Sequence, residues 1–387
     1  MTILFWVSLF LVAYAYIGYP LVLWVLTKII VRDVRKREIS PFISVIIAAR
    51  NEADKIRQKI DNTLALDYPP TLLEVIVASD ASDDGTDDIV QSYARRGVRL
   101  VRSPQRGGKE HVQGLAVAVA QGEILVFTDA ATFLDTDALS RLVQNFADPS
   151  VGAVSTEDLI VDAGGTPTAE GLYVKYEMWV RRLESQVHSL VGLSGSCFAI
   201  REELCTDWSP SLQSDFMGAL RGARRGFRSI ADPSVRAKFP TVISARLEMP
   251  RRVRTFLRGI TVLMANTDML NPFIYGRFAF QLASHKLLRF AAPFLLLMAV
   301  GTSVLLIHEQ PYFGLFWAQL GFYSLGILGA VVPVLQRNRI IRIANYFSMV
   351  QWAMLLAWVK YMRGQHQTTW EPSKRPGMVT RSHGSTH

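Results

Sequence analysis

Polar and apolar positions divide the chain into three regimes. Residues 3–30 are apolar with a single charge, Lys28, near the end. That run exceeds the roughly 20 residues a membrane helix needs. It is too long for the core of a signal peptide, and it lacks a positive leading segment and a small-residue cleavage site. From Pro41 onward, short continuous apolar runs alternate with stretches of helical spacing. The runs 42–48 (FISVIIA), 74–78 (EVIVA), 98–102, 124–128 and 151–156 predict strands, the early ones buried on both faces. Helical spacing over 53–66, up to Arg96, 109–121, up to Phe146, 168–189 and 217–225 predicts the intervening helices, with Gly97 placed as a helix-ending residue. Such alternation implies parallel pairing through right-handed crossovers. The aromatics Tyr173, Tyr176 and Trp179 recur on one side of the 168–189 helix, and a core-facing stripe is the first expectation. Long apolar segments return at 290–307 and 312–335, and a third, 343–362, is interrupted by Asn345 and Gln351. The expected organisation is a membrane helix at 3–30, an α/β domain at 41–250, interfacial helices at 251–288, membrane helices at 289–362 and a tail at 363–387.

Candidate chemistry collects where the apolar runs stop. Three of them end in carboxylates: Glu52 in Ala49-Arg50-Asn51-Glu52, Asp80 in SDASDDGT (79–86), and Asp129 in FTDAAT (127–132). Ligands of open α/β sheets sit just beyond the carboxyl ends of the strands, so these acids are expected on one rim. Lys109 follows two glycines in RGGK (106–109), a pattern without the spacing of a phosphate loop. Acidic groups with a lysine suit a nucleotide and a magnesium or manganese ion bridging its phosphates. The other acids of 82–88 also read as an ordinary turn and helix cap. Asp215, in Ser214-Asp215-Phe216, reads by position as a helix N-cap.

Charge narrows the partners. The chain of 387 residues carries 42 Lys+Arg against 33 Asp+Glu. The basic residues crowd beside the apolar segments, which favours anionic lipid over nucleic acid. Arg32, Arg35, Lys36 and Arg37 follow the first apolar run, so the positive-inside rule puts the N-terminus outside and the α/β domain in the cytosol. Localisation in the cell inner membrane, multi-pass, follows. The two cysteines, Cys197 and Cys205, form no metal-ligand pattern and are expected as thiols. The same charge rule conflicts with a third full span at 343–362, because the basic tail would then lie outside. Either the tail breaks the rule or that segment is re-entrant.

The pieces ARNE (49–52), SDASDDGT (79–86), RGGK (106–109), FTDAAT (127–132), LSGSCFAIR (193–201) and SDF (214–216) together resemble, in order and spacing, the catalytic domain of family-2 glycosyltransferases of the GT-A fold. The resemblance covers about residues 41–260 and extends to membrane-embedded exopolysaccharide synthases. It implies a Rossmann-like, mostly parallel sheet that holds a UDP-sugar. Ala49, Glu52, Asp80, Lys109 and Asp129 would bind the donor, and Asp129 would serve the metal. Gly195 and Ser196 would meet the acceptor, and Asp215 would be the general base of a single inverting displacement. The family's D-x-D reads Asp129-Ala130-Ala131 here, so its second carboxylate is missing. In EMPRRVRTFLRG (248–259) only Arg254 keeps the family's QxxRW pattern; it is assigned to the diphosphate, while Arg251, Arg252 and Arg258 also read as anchors at the bilayer surface. The implied acceptor is a growing polysaccharide or a lipid-linked sugar. A narrow bundle of spans leaves a role for an export partner or an oligomer. Two alternatives stand beside this: a single addition onto a lipid, and a catalytically degenerate regulatory subunit.

Overall fold

The computed structural model describes residues 1–30, 32–161, 172–240 and 248–365. The TTWEPSKR piece (368–375) lies outside them. The chain folds into two compact units, one containing Met1–Val22, Ala245–Asn271 and Ala279–Gln367, the other Leu23–Ser244 and Pro272–Phe278.

The second unit is built on an eight-stranded sheet. Its elements in chain order are β1 (Ile43–Ala49), α1 (Ile56–Leu64), β2 (Leu73–Ser79), α2 (Thr86–Gln91), β3 (Val98–Arg102), α3 (Lys109–Val117), β4 (Ile124–Asp129), β5 (Phe133–Leu134), α4 (Ala138–Gln144), β6 (Val151–Val161), α5 (Leu172–Val187), β7 (Cys197–Arg201), α6 (Ser214–Arg224) and β8 (Arg228–Pro240). The strand order is β3-β2-β1-β4-β7-β6-β8-β5. β3, β2, β1 and β4 run parallel, β7 runs antiparallel between β4 and β6, and β6 pairs parallel with β8. This is the α/β architecture expected, with an antiparallel insertion that the apolar runs do not reveal. Alternate residues of each central strand enter opposite layers. Val45, Ile47, Val75, Val77 and Val126 pack on the side of Ile56 and Ile60 from α1. Ile46, Ile76, Leu125 and Phe127 pack on the side of Val112 and Ala116 from α3. Both faces being covered explains why these strands read as unbroken apolar runs.

Two expectations change. The aromatic stripe of α5 does not face the core: Trp179 is 41% exposed, while Met178, Val180, Leu183 and Val187 are buried. The polar residues Arg181 and Arg182 share the helix with both sets, so letter type alone does not decide which stripe goes inward. Asp215 is not an N-cap either; the cap is Gln213, and Asp215 lies in the first turn of α6.

The other unit is helical. Among the described residues, four helices are long and apolar enough to cross a membrane: Thr2–Leu26, Arg277–Leu305, Tyr312–Val331 and Arg339–Met362. The second begins well before residue 290. Its polar letters turn inward, with Ser284 and His285 buried, Ser284 Oγ 3.1 Å from Tyr14 Oη, and the Arg289 guanidinium over the Tyr16 ring. The fourth is one unbroken helix despite Asn345 and Gln351. Asn345 donates to the Gly326 carbonyl at 2.8 Å and Gln351 to Tyr16 Oη at 2.8 Å, which satisfies both amides inside the bundle. The amphipathic helix Glu248–Ala265 belongs to this unit and carries Arg254.

Candidate active site

Register puts the acids where the sheet opens. Ala48 of β1 lies beside Ala78 of β2 and beside Asp129 at the end of β4. Asp80 follows β2 directly and is fully buried. Its two oxygens accept from the backbone amides of Gly107 (2.7 Å) and Gly108 (3.0 Å). That grip pins the glycine loop and starts α3 at Lys109. Gly108 sits at φ 95°, where a side chain would be strained. The loops after β1 and β2 are locked together: Asn51 and Asp83 exchange hydrogen bonds of 2.7 and 3.1 Å, and both Asn51 and Ala81 take φ 51°. Left-handed backbone at non-glycine residues is costly and collects at ligand sites.

Lys109 is the centre of the cluster. Its ammonium lies 2.5 Å from Asp129 Oδ1 and donates to the Gly195 carbonyl at 2.9 Å. Burial alone would lower its pKa; Asp129, with Glu110 and Asp215 adding to it, reverses this and holds the ammonium above its ordinary value. A Cβ on Gly195 would stand 2.9 Å from Asp215 Oδ2, so the SGS loop passes against the Asp215 carboxylate. Asp215 is buried, and Gln213 Nε2 donates to its Oδ2 at 3.0 Å. Glu52 is buried and paired with Lys55 at 2.8 Å. Burial pushes the Glu52 carboxyl up against the pull of Lys55, with Asp129 near enough to add to the rise. Lys109 thus contacts Asp129 and the Gly195 carbonyl directly, Asp80 holds the two glycines before it, the Gly195 loop passes Asp215, and Ala49 touches the group through its carbonyl, which accepts from the Asp80 amide. Arg254 belongs to the other unit.

Two residues unsuspected from the sequence support this cluster. Lys59 is fully buried under the end of β4, donating to Thr128 Oγ1 (3.1 Å) and the Thr132 carbonyl (2.5 Å). Burial lowers its pKa to about 8. Its signal was positional: Ile56, Lys59, Ile60 and Thr63 make the buried stripe of α1. Asp158, on β6, accepts from Ser194 Oγ (2.6 Å) and Ser196 Oγ (2.5 Å) and so shapes the SGS loop. Burial raises its carboxyl above the usual range, opposed by Arg181 and the two hydroxyls. Ser196 is therefore turned toward Asp158, and its carbonyl accepts from the Asp129 amide at 3.1 Å.

No three His, Cys, Asp or Glu side chains converge among the described residues. Asp129 keeps 31% of its side chain exposed, and Lys109 engages only one of its oxygens. A magnesium-class ion held mainly by phosphates uses one or two carboxylates. Asp129 alone meets that requirement, and with alanines at 130 and 131 the remaining ligands must come from substrate and water.

A parallel half-sheet whose strand ends deliver Asp80 and Asp129 to one rim, joined to a mixed half that brings in Asp215, is the GT-A fold. Residues 44–207 match the model of Glycosyl transferase family 2, and the chain contains a family-2 glycosyltransferase domain over that span. Among curated proteins it is 28% identical over 184 residues to a beta-monoglucosyldiacylglycerol synthase of Trichormus variabilis, covering 45% of this chain and 39% of that protein. It is 30% identical over 115 residues to a poly-beta-1,6-N-acetyl-D-glucosamine synthase of Staphylococcus aureus, covering 29% and 27%. The match thus spans less than half the length of either relative. A solved structure, the mannosyltransferase PcManGT from Pyrobaculum calidifontis in complex with GDP-Man and Mn2+, aligns with a TM-score of 0.72 and 25% identity over 94% of this chain and 99% of that one.

Proposed function

We propose that the protein is an inverting glycosyltransferase that moves a sugar from a UDP-sugar, at the cytoplasmic face of the cell inner membrane, to a growing polysaccharide. The observation that carries the reading is that Asp80 holds the Gly107 and Gly108 amides just before Lys109, and Lys109 bonds both Asp129 and the carbonyl of Gly195, whose loop passes the Asp215 carboxylate. It joins a candidate donor rim to a candidate base. Glu52 and Asp80 take the nucleoside end, and Lys109 offsets charge on the diphosphate. A magnesium or manganese ion on Asp129 would add charge neutralisation there. Asp215 removes the proton of an acceptor hydroxyl. The acceptor oxygen bonds to the anomeric carbon as the bond from that carbon to the diphosphate breaks. With Asp215 acting as the one base, a single displacement inverts the centre. Gly195 and Ser196 border the acceptor, with the half-buried Tyr176 and the exposed Trp179 on the helix that Arg181 ties to the Gly192 carbonyl. Four candidate spans support a lipid-linked or membrane-threaded acceptor, with an export partner or oligomer completing the path.

A second reading, single addition onto a lipid, is favoured by the loss of all but Arg254 from the QxxRW pattern and by the glycolipid synthase among the relatives. The GDP-Man complex of the similar structure bears on the donor base. The experiment is to supply full-length protein with membrane lipids and a panel of labelled UDP- and GDP-sugars, reading nucleotide release and product length. Release from a UDP-sugar with long products is expected. One-sugar lipid products would replace polymer synthesis with the second reading, and release from GDP-sugars alone would overturn the donor. No release from any donor would favour the regulatory subunit that Ala131 suggests.

A further inference from the structure

A second polar site lies apart from the Asp129–Asp215 cluster and shares no residue with it. Ile30, Arg32, His188, Ile274, Tyr275, Gly276 and Arg277 border an open cavity of about 580 Å³, and no carboxylate is among these lining residues. All belong to the same unit. The wall is built rather than incidental. Arg228 is buried and donates to the carbonyls of Arg32 (3.0 Å), Ser185 (2.9 Å) and His188 (2.9 Å), so one guanidinium fixes the segment after the first apolar helix against the end of α5. Arg32 Nη1 lies 2.9 Å from His188 Nδ1. Burial, then Arg32, Arg228 and Arg277 in turn, lower the His188 pKa to about 4. The imidazole is therefore neutral at pH 7, accepts from Arg32 at Nδ1 and keeps its proton on Nε2. Three guanidiniums acting on one ring, with no acid lining the cavity, leave a local excess of positive charge.

Connectivity fixes where this charge sits. Arg32 comes shortly after the helix ending at Leu26, and Arg277 opens the span Arg277–Leu305. Both ends of the wall are thus span ends, which lie at the bilayer surface. Beside the arginines, Phe273 is 96% exposed and Ile274 70% exposed. Bare apolar side chains next to an arginine pair match an amphiphile with a charged head and a greasy body. Guanidinium forks bind phosphate oxygens in pairs, and a neutral imidazole N–H adds a donor.

We propose that this cavity is a binding site for the phosphate headgroup of an anionic membrane lipid, gripped between Arg32 and Arg277 beside His188. The site does not depend on the sugar-transfer reaction.

The test is native mass spectrometry of the full-length protein released from membranes or micelles containing phosphatidylglycerol or, separately, phosphatidylcholine. One phosphatidylglycerol is expected to stay bound and phosphatidylcholine is not. The double variant Arg32→Gln, Arg277→Gln is expected to lose that lipid at least tenfold, while Arg32→Lys, Arg277→Lys, which keeps the charge but not the fork, retains more than the glutamine pair and less than wild type and reports that the fold survives. Arg339→Gln, at another span end, is the control. Retention unchanged in the glutamine pair, or equal loss in the Arg339 control, would overturn the site in favour of general surface attraction. Displacement of the lipid by an equal concentration of inorganic phosphate would overturn the lipid as the ligand.

Discussion

Lys59 is the most exposed point of the account at the scale of single residues, because its ammonium is buried without a carboxylate in hydrogen-bonding contact. Its pKa falls from 10.5 to about 8 by burial. Between those values the unfolded chain holds a proton that the folded lysine has released, so its contribution to stability rises with pH across that window. Wild type is expected to gain about 3 kcal/mol relative to Lys59→Met between pH 8 and 10.5, measured by parallel denaturation in detergent. A gap that stays constant with pH would refute a buried, depressed Lys59. Gly195→Ala probes the other side of the cluster. Its methyl would press on Asp215 Oδ2, and kcat is expected to fall roughly 10- to 100-fold with donor affinity little changed, the scale of a misplaced catalytic group. Equal activity would mean that Asp215 has room to move and that the contact is not functional. Glu52, Lys109, Asp129 and Asp215 were legible as letters in motifs. The work of Asp80 was not, since its partners are backbone amides that no letter distinguishes, and Lys59 was hidden by sitting where a helix pattern calls for an apolar residue.

Among elements, the strands that read clearly are those with helices on both faces, where burial forces an unbroken apolar run. β8 (RSIADPSVRAKFP) escaped because it carries Pro233, Arg236 and Lys238, with Ser234 and Arg236 exposed and a register shift against β6. β7 was legible only as part of the LSGSCFAIR piece and not as a strand, although it is the antiparallel strand that brings the SGS loop to Lys109. The helix α5 separates the two ways of reading an aromatic stripe. Leu183→Ala is expected to cost about 2–5 kcal/mol as a buried truncation, and Trp179→Ala about 1 kcal/mol or less as a surface one. Thermal unfolding of the two variants checks this, and a larger loss at Trp179 would return the stripe to the core.

Across the whole molecule, four apolar helices among the described residues accompany one transferase domain. The spans were legible because hydrocarbon imposes length and composition. The start of the second span was not, because Ser284, His285 and Arg289 are polar letters that the bundle satisfies internally. The missing second carboxylate at Ala131 predicts a particular order of binding. Manganese should bind the protein appreciably only when a nucleoside diphosphate is present, with affinity at least about tenfold weaker without it, since Asp129 by itself is a poor site. Titration of Mn2+ by electron paramagnetic resonance reads this directly. Tight binding to the nucleotide-free protein would point to ligands beyond Asp129.

The central claim is that one acidic rim divides its labour, Asp129 holding the donor and Asp215 activating the acceptor. Donor binding and turnover measured side by side on Asp129→Asn and Asp215→Asn address it most directly. The account predicts that Asp215→Asn binds the donor close to wild type while its kcat falls at least about 100-fold, and that Asp129→Asn loses donor binding. Full turnover by Asp215→Asn would contradict it.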